Sequence, residues 1–344
     1  MGGEGTACGA FANTCDELRA DRRRFLVTGG AGFIGYATAR RLLELGQTVL
    51  VLDNFATGKQ KHISELRTLS KKHGSFSFCK GDIRDIEICR DVAGSVDVII
   101  HLAALGSVPR SIADPLTSHQ VNVDGFVNIL TAAYQKSVKR VVYASSSSVY
   151  GDHPSLPKRE SEIGTPLSPY ALTKAIDEQY AAMFARAYAM EMIGLRYFNV
   201  FGPHQDPDGP YAAVVPKWIA ALRRGERVRI FGDGKTSRDF CYVENAVQSN
   251  ILAACATAEK AVNQVYNIAV GQQTSLNELH RGIVDRLVAH KKIDCIEPPV
   301  YEDFRPGDVR HSLADVSKAR ELLGYQPSHS FDAGLDETIV HFAE

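Results

Sequence analysis

The sequence predicts an α/β protein built on a doubly wound parallel sheet with a smaller second lobe. Three observations lead there. An apolar run, Phe25-Leu26-Val27-Thr28, enters the glycine-rich turn Gly29-Gly30-Ala31-Gly32-Phe33-Ile34-Gly35. Beyond it, apolar runs of strand length alternate with helix-period patterns, the rhythm of a parallel sheet. From about residue 201 that rhythm breaks into Pro and Gly clusters, at Gly202-Pro203, Asp206 to Pro210 and Gly232-Asp233-Gly234, as expected of a lobe made from inserted segments. With 344 residues, 44% hydrophobic and 23% charged, the chain can bury a large core.

The glycine turn opens a helical pattern through Ala37, Ala39, Leu42, Leu43 and Leu45, so the order is strand, tight turn, helix. Gly29, Gly32 and Gly35 permit the turn, close approach of backbone to a pyrophosphate, and close packing of helix on strand. The helix start, at Phe33 and Ile34, offers unpaired N–H groups to phosphate. The spacing is one residue off the commoner dinucleotide fingerprint. The second run, Thr48 to Leu52, meets Asp53 and Asn54 about twenty residues on, where a carboxylate can accept from an adenosine ribose and would repel a 2′-phosphate. Turn and carboxylate together predict NAD rather than NADP on a Rossmann-type sheet.

Further strands are predicted at Phe76 to Cys79, Val98 to Leu102, Val141 to Ala144, Ile193 to Tyr197 and, rejoining the sheet late, Gln264 to Ile268. Ligands of such sheets lie past the carboxyl ends of the strands. Asp82-Ile83 after strand three then borders the adenine, and the small residues of Leu102-Ala103-Ala104 after strand four let a cofactor pass; His101 reads as a packed histidine. The chain divides into an N-terminal extension (1–21), an NAD-binding domain (22–200, with 235–270 returning to it) and a substrate lobe (201–234 and 271–344).

Tyr170 and Lys174 lie one helical turn apart and share a helix face. An ammonium held near a phenol favours the phenolate, which lets a group of ordinary pKa about 10 act as a base near neutral pH. Upstream stands the run Ser145 to Ser148.

The formal net charge of −1 gives no global attraction to nucleic acid or to an anionic membrane. The seven cysteines are scattered without zinc-like spacing, which excludes a cysteine metal centre and fits reduced thiols in a cytoplasmic protein. No apolar stretch approaches the roughly 20 residues of a membrane span.

The glycine turn, Asp53, Asp82-Ile83, Asn122, the serine run before Val149-Tyr150-Gly151, Tyr170-x-x-x-Lys174 and Arg196-Tyr197-Phe198-Asn199 together resemble the extended short-chain dehydrogenase/reductases that modify nucleotide sugars. The resemblance runs from about residue 22 over nearly all of the chain. Within it, Asp53 to Gly58, Ala104 to Ser111, Tyr211 to Trp218 and Gly307 to Ser312 resemble the bacterial UDP-N-acetylglucosamine 4-epimerases of surface-polysaccharide pathways.

The resemblance implies that Tyr170 removes the proton of the sugar 4-hydroxyl while C4 gives a hydride to NAD. The 4-keto sugar then turns over and takes the hydride back on its other face. Lys174 would assist Tyr170 and hold the nicotinamide ribose, and Ser146 would bridge the hydroxyl proton, with Ser147 next to it leaving the register open by one residue. The implied cofactor set is Gly29, Gly32, Phe33, Ile34, Gly35, Asp53, Asn54, Asp82, Ile83, Leu102, Ala103, Ala104, Asn122, Tyr170, Lys174 and Tyr197. The implied UDP-sugar set is Gly106, Ser107, Ser146, Ser147, Asn199, Ala213, Val214, Lys217, Trp218, Arg238, Arg305, Asp308 and Ser312, with Arg238 and Arg305 on the diphosphate and Ser312 leaving room for an acetamido group. A homodimer through Pro115 to Tyr134 and Pro169 to Tyr188 is also implied.

Serines at 147 and 148 disfavour a dehydratase, whose Asp-Glu pair would stand there, and a uronic-acid decarboxylase, which usually carries a Glu near 148. UDP-glucose/UDP-galactose and uronic-acid epimerases stay open, as does a non-catalytic NAD-sensing module.

Overall fold

The computed structural model describes residues 7–208, 212–293, 297–304 and 309–343. Seven parallel strands form the main sheet: β1 (Arg24–Thr28), β2 (Thr48–Asp53), β3 (Ser75–Lys80), β4 (Val98–His101), β5 (Arg140–Ser146), β6 (Glu191–Tyr197) and β7 (Gln264–Ile268). Their order across the sheet is β7-β6-β5-β4-β1-β2-β3, so the strand order reverses beside β1. That reversal opens the crevice in which ligands of doubly wound sheets bind. The central strands read as unbroken apolar runs because both faces are covered: Phe25 and Val27 face one core cluster, with Leu42, Ile63 and Ile251, and Leu26 between them faces the other, with Cys89, Ile129 and Phe184.

The predicted strands are all present, within two residues at each end, and β7 joins β6 in register from Gln264↔Ile193 to Ile268↔Tyr197. One expected helix differs. The span from Pro115 to Tyr134 is a short α-helix (Pro115–His119), a π-helical stretch (Gln120–Asp124) and a second α-helix (Gly125–Gln135). Pro169–Tyr188 is a single helix as expected, started by Pro169 and by the Ser168 hydroxyl, which accepts from the Ala171 N–H at 3.1 Å.

The second lobe has its own core, in which the helices Val214–Arg223, Leu276–Ala289 and Phe331–Ala343 pack together. Its strands are short pairs, Arg229–Phe231 with Val300–Glu302 and Ser237–Arg238 with Thr274–Ser275. The late helix Ser317–Leu323 is part of the main domain's core, to which Ala319 and Leu323 belong. Within the N-terminal extension, Ala7–Ala20 is a helix that buries Cys15 and Leu18 in the same core. Among the described residues no helix is long and apolar enough to cross a membrane, and no group of side chains could hold a metal ion.

Candidate active site

A cleft of about 590 Å³ runs along the carboxyl ends of the strands, from Asp53 at one end to Tyr170 and Asn199 at the other. Its floor is the glycine turn. Gly29 has φ +69°, and a Cβ there would sit 2.8 Å from the Ala103 backbone. A Cβ on Gly35 would collide with the Gly29 carbonyl, so turn and helix start close to one another only as glycines. Both sites leave backbone bare where a pyrophosphate approaches, and Gly32, Phe33 and Ile34 line the same wall.

The wall opposite comes from the end of β4. Thr28 Oγ1 accepts from the N–H groups of Leu102 and Ala103, both at 3.2 Å, and lies 2.8 Å from His101 Nδ1. With two donors pointing at its oxygen, the hydroxyl donates to His101 Nδ1, which leaves the histidine proton on Nε2. Burial holds that imidazole far down, at about 3, with the Lys174 charge adding to the effect, so it stays neutral at physiological pH. His101 is thus the packed histidine expected; it anchors the chain that carries Leu102, Ala103 and Ala104 past the cofactor.

At the adenosine end, Asp53 Oδ2 accepts from Ala31 N–H at 3.0 Å and Oδ1 from Phe55 N–H at 2.7 Å. Burial raises its carboxyl, opposed by these two donors. Each oxygen keeps a lone pair for a ribose hydroxyl. Asn54 and Ile83 line the cleft, whereas Asp82 lies just behind it. Arg84 forks onto Asp82 at 3.0 and 2.7 Å and Asn54 donates to it at 2.8 Å, which holds its carboxyl down at about 2. The cleft-lining side chain there is Arg84.

At the reacting end the Pro169–Tyr188 helix presents Tyr170 and Lys174 to the cleft beside Ser145, Ser146 and Ser147 from the end of β5. Gly106 lies beside the phenol: a Cβ there would make an ordinary contact with the Tyr170 hydroxyl, at 3.9 Å. Ser146 Oγ also accepts from Ser148 N–H at 3.1 Å. Ser145 turns the other way, to Glu178 Oε1 at 2.5 Å, and Glu178 in turn holds Arg196 through a bidentate pair at 2.8 and 2.7 Å. Lys174 is 2% exposed, and its Nζ donates to Asp177 Oδ2 at 3.0 Å.

Several expected contacts fall elsewhere. Asn122 is expected on the cofactor, but its side chain is committed to the fold. Its amide bonds Leu105 O at 3.3 Å and Thr173 Oγ1 at 3.1 Å, and its carbonyl takes the Leu105 N–H at 2.8 Å. It clamps the loop after β4 onto the helix of Tyr170. Ser107 caps the helix Val108–Ala113 by accepting from Arg110 N–H at 3.2 Å. Tyr197 lines the cleft, with its hydroxyl donated to Asn250 at 2.7 Å.

Trp218 is expected on the substrate but is buried in the second lobe's core. Val215, Trp218, Ile219 and Leu222 make the apolar stripe of their helix, and Lys217 on the other face is exposed. Ala213 and Val214 start that helix without lining the cleft. Arg238 donates to the carbonyls of Ser237 and Arg310 at 2.9 and 3.3 Å. Ser312, 9% exposed, donates its N–H to Ser237 O at 3.1 Å and lies outside the residues that line the cleft. Next to them, Asp239 draws three segments together by accepting from the N–H groups of Val270, Gly271 and Ala314 at 3.0–3.2 Å. Arg305 and Asp308 lie outside the described residues. Sequence reasoning misses Arg84, Thr117, Val121 and Gln205, which line the cleft only because the tertiary fold carries loops and helix ends across it.

Cleft and dyad define the class: a dinucleotide-dependent site that oxidises and reduces an alcohol carbon on a short-chain dehydrogenase scaffold. The chain belongs to the NAD dependent epimerase/dehydratase family, whose model matches residues 25–269. It is 37% identical over 321 residues to a UDP-glucose 4-epimerase of Mycolicibacterium smegmatis, covering 93% of this chain and 98% of the relative. Among solved structures it is similar to a UDP-N-acetylglucosamine 4-epimerase from Methanobrevibacter ruminantium in complex with UDP-N-acetylmuramic acid (TM-score 0.85, 38% identity, 94% of this chain and 98% of that one). It is also similar to a Thermus thermophilus UDP-glucose 4-epimerase complexed with NAD (TM-score 0.80, 31% identity, 93% and 98%). The cofactor is NAD, and the glycine cradle, Asp53 and Lys174 are the residues that fit it.

Proposed function

We propose that the protein interconverts UDP-GlcNAc and UDP-GalNAc by epimerisation at C4. The observation that carries this reading is the convergence of Tyr170, Lys174, Ser146 and Ser147 on one end of the NAD cleft, with no carboxylate at 147 or 148 for dehydration or decarboxylation. Tyr170 takes the proton of the 4-hydroxyl, and the Lys174 ammonium favours the resulting phenolate. Ser146 relays that proton and stabilises charge on the oxygen, with Ser147 as the neighbouring hydroxyl. Bound NAD supplies the hydride acceptor and donor for C4. After the 4-keto sugar has presented its other face, the same phenol returns the proton, so no net oxidation results.

The acetamido preference is supported by the likeness to the Methanobrevibacter enzyme, and we infer that Ser312, a small residue just outside the described lining of the cleft, borders the C2 substituent. UDP-glucose is the second reading, favoured by the name of the Mycolicibacterium relative. We place Arg238 and Arg305 on the diphosphate, where guanidinium can bind two oxygens at once. A homodimer is part of the proposal. Ile112, Leu116, Tyr134, Leu172 and Tyr188 are exposed apolar residues carried by the 108–135 segment and the Pro169–Tyr188 helix, and a second copy would cover them.

The test is to resolve products from UDP-GlcNAc, UDP-Glc and their uronic acids, and to compare kcat/KM for both neutral pairs in wild type and Ser312→Tyr. The variant should lose N-acetylhexosamine turnover and keep UDP-Glc turnover. Retained N-acetyl activity removes Ser312 as the gate. With C4-deuterated substrate the label should stay at C4; its loss to solvent would overturn internal hydride return.

A further inference from the structure

Lys174 is paired within its own helix. Its ammonium and the Asp177 carboxylate, three residues on along the same helix, meet at 3.0 Å with both side chains almost wholly buried. Asp177 Oδ1 is buried with no hydrogen-bond partner. A carboxylate left half-satisfied in the interior is costly. Its immediate neighbour Glu178 already has a complete structural role, clasping Arg196 and Ser145.

We propose that Asp177 is a positioning residue that restrains Lys174: it fixes the ammonium in the resting enzyme and offsets part of the charge that Lys174 brings to the Tyr170 phenol. This rests on the proposed roles of Tyr170 and Lys174. The geometry supplies both halves. One carboxylate oxygen holds Nζ where it lines the cleft, and the other is free to accept a second ammonium hydrogen or a water as Lys174 adjusts to the nicotinamide ribose.

The groups that face Asp177 are Lys174 and Glu178 on its own helix and Tyr143 on β5. Through them it is linked to His101 on β4 and Arg196 on β6. Burial pushes the Asp177 carboxyl up to about 6 and Glu178 adds to this, against the pull of Lys174. The restraint is therefore present above about pH 6 and fades below it, as Asp177 takes up a proton.

The experiment is the pH profile of single-turnover epimerisation in holoenzyme carrying NAD, for wild type, Asp177→Asn and Asp177→Glu, with thermal midpoint and bound NAD measured alongside. Asp177→Asn keeps the volume and an acceptor oxygen but removes the opposing charge. Above about pH 6, where wild-type Asp177 is charged, the rising limb should move to lower pH by roughly one unit, about a tenfold gain in rate on that limb, with KM for the UDP-sugar unchanged. Below about pH 6 the two profiles should merge, because wild-type Asp177 is itself protonated there. Asp177→Glu should restore the wild-type limb. If Asp177→Asn does not fold, Asp177→Ser gives the same readout. A wild-type pH profile in a variant that has lost only thermal stability would mean that Asp177 is merely structural, and the inference fails. Full activity in Tyr170→Phe would instead overturn the proposed function itself.

Discussion

The two ends of this molecule are built by different means. The cofactor end is made of backbone: glycines at 29 and 35 that tolerate no Cβ, strand ends in register, and N–H groups aimed into the cleft. The second lobe's wall, where we propose that the sugar sits, is assembled from segments distant in sequence, as where Ser237 pairs with Ser275 and bridges to His311. Asp239 then ties the Val270 and Ala314 segments together. Main-chain architecture constrains residue type at each position and permits little substitution, whereas an assembled wall can change its chemistry one side chain at a time. Cofactor choice should accordingly be rigid in this protein and sugar choice tunable.

The sharpest way to break that contrast is at the seam between the two ends. Tyr170→Phe removes a hydroxyl and almost no volume, and it should lower the epimerisation rate by about 10² to 10⁴-fold while bound NAD is retained. Loss of the cofactor in that variant would mean that the reacting group also builds the cofactor end.

Gly35→Ala addresses the rigidity of the cofactor end directly. Its Cβ must displace the Gly29 carbonyl, an overpacking that costs about 1–3 kcal/mol. The variant should melt lower and purify with less NAD. An unchanged melting temperature would show that the turn can yield.

His101 makes the smallest prediction, about pH. Its folded-state value near 3 lies below the ordinary 6.5, so its contribution to stability is full above pH 6.5 and is lost as pH falls towards 3, because the unfolded chain gains the proton first. Between pH 7 and 5 this amounts to about 2 kcal/mol as an upper figure. Thermal midpoints across that range should fall less in His101→Asn than in wild type. Equal slopes would place the acid sensitivity elsewhere.

The same contrast governs what could be read from the chain. The glycine turn, Asp53, the seven strands and the Pro169–Tyr188 helix are local patterns, and they stand where the sequence predicts them. The Ala7–Ala20 helix was also legible, since Phe11, Cys15 and Leu18 repeat at helical spacing, but it lay in a segment treated only as an extension. Trp218 illustrates the opposite case. A motif places it near the substrate, and only the stripe it shares with Val215 and Leu222 tells that it faces the core. Arg84, Thr117 and Gln205 carry no local signal, because their part in the cleft depends on what the fold brings opposite them.

The π-helical stretch Gln120–Asp124 sets the rotational phase of everything around it. A π turn takes in one residue more than an α turn, and each α-helical residue rotates the chain by about 100°. Deleting one residue would leave the two flanks in phase, whereas forcing these five residues into ordinary α-helix without removing one would swing Pro115–His119 by roughly that angle relative to Gly125–Gln135. Asn122 would leave Leu105 and Thr173, and the loop after β4 would come unclipped from the helix that carries Tyr170. The extra residue thus acts as a tooth in a gear, keeping Asn122 meshed with Leu105 and Thr173.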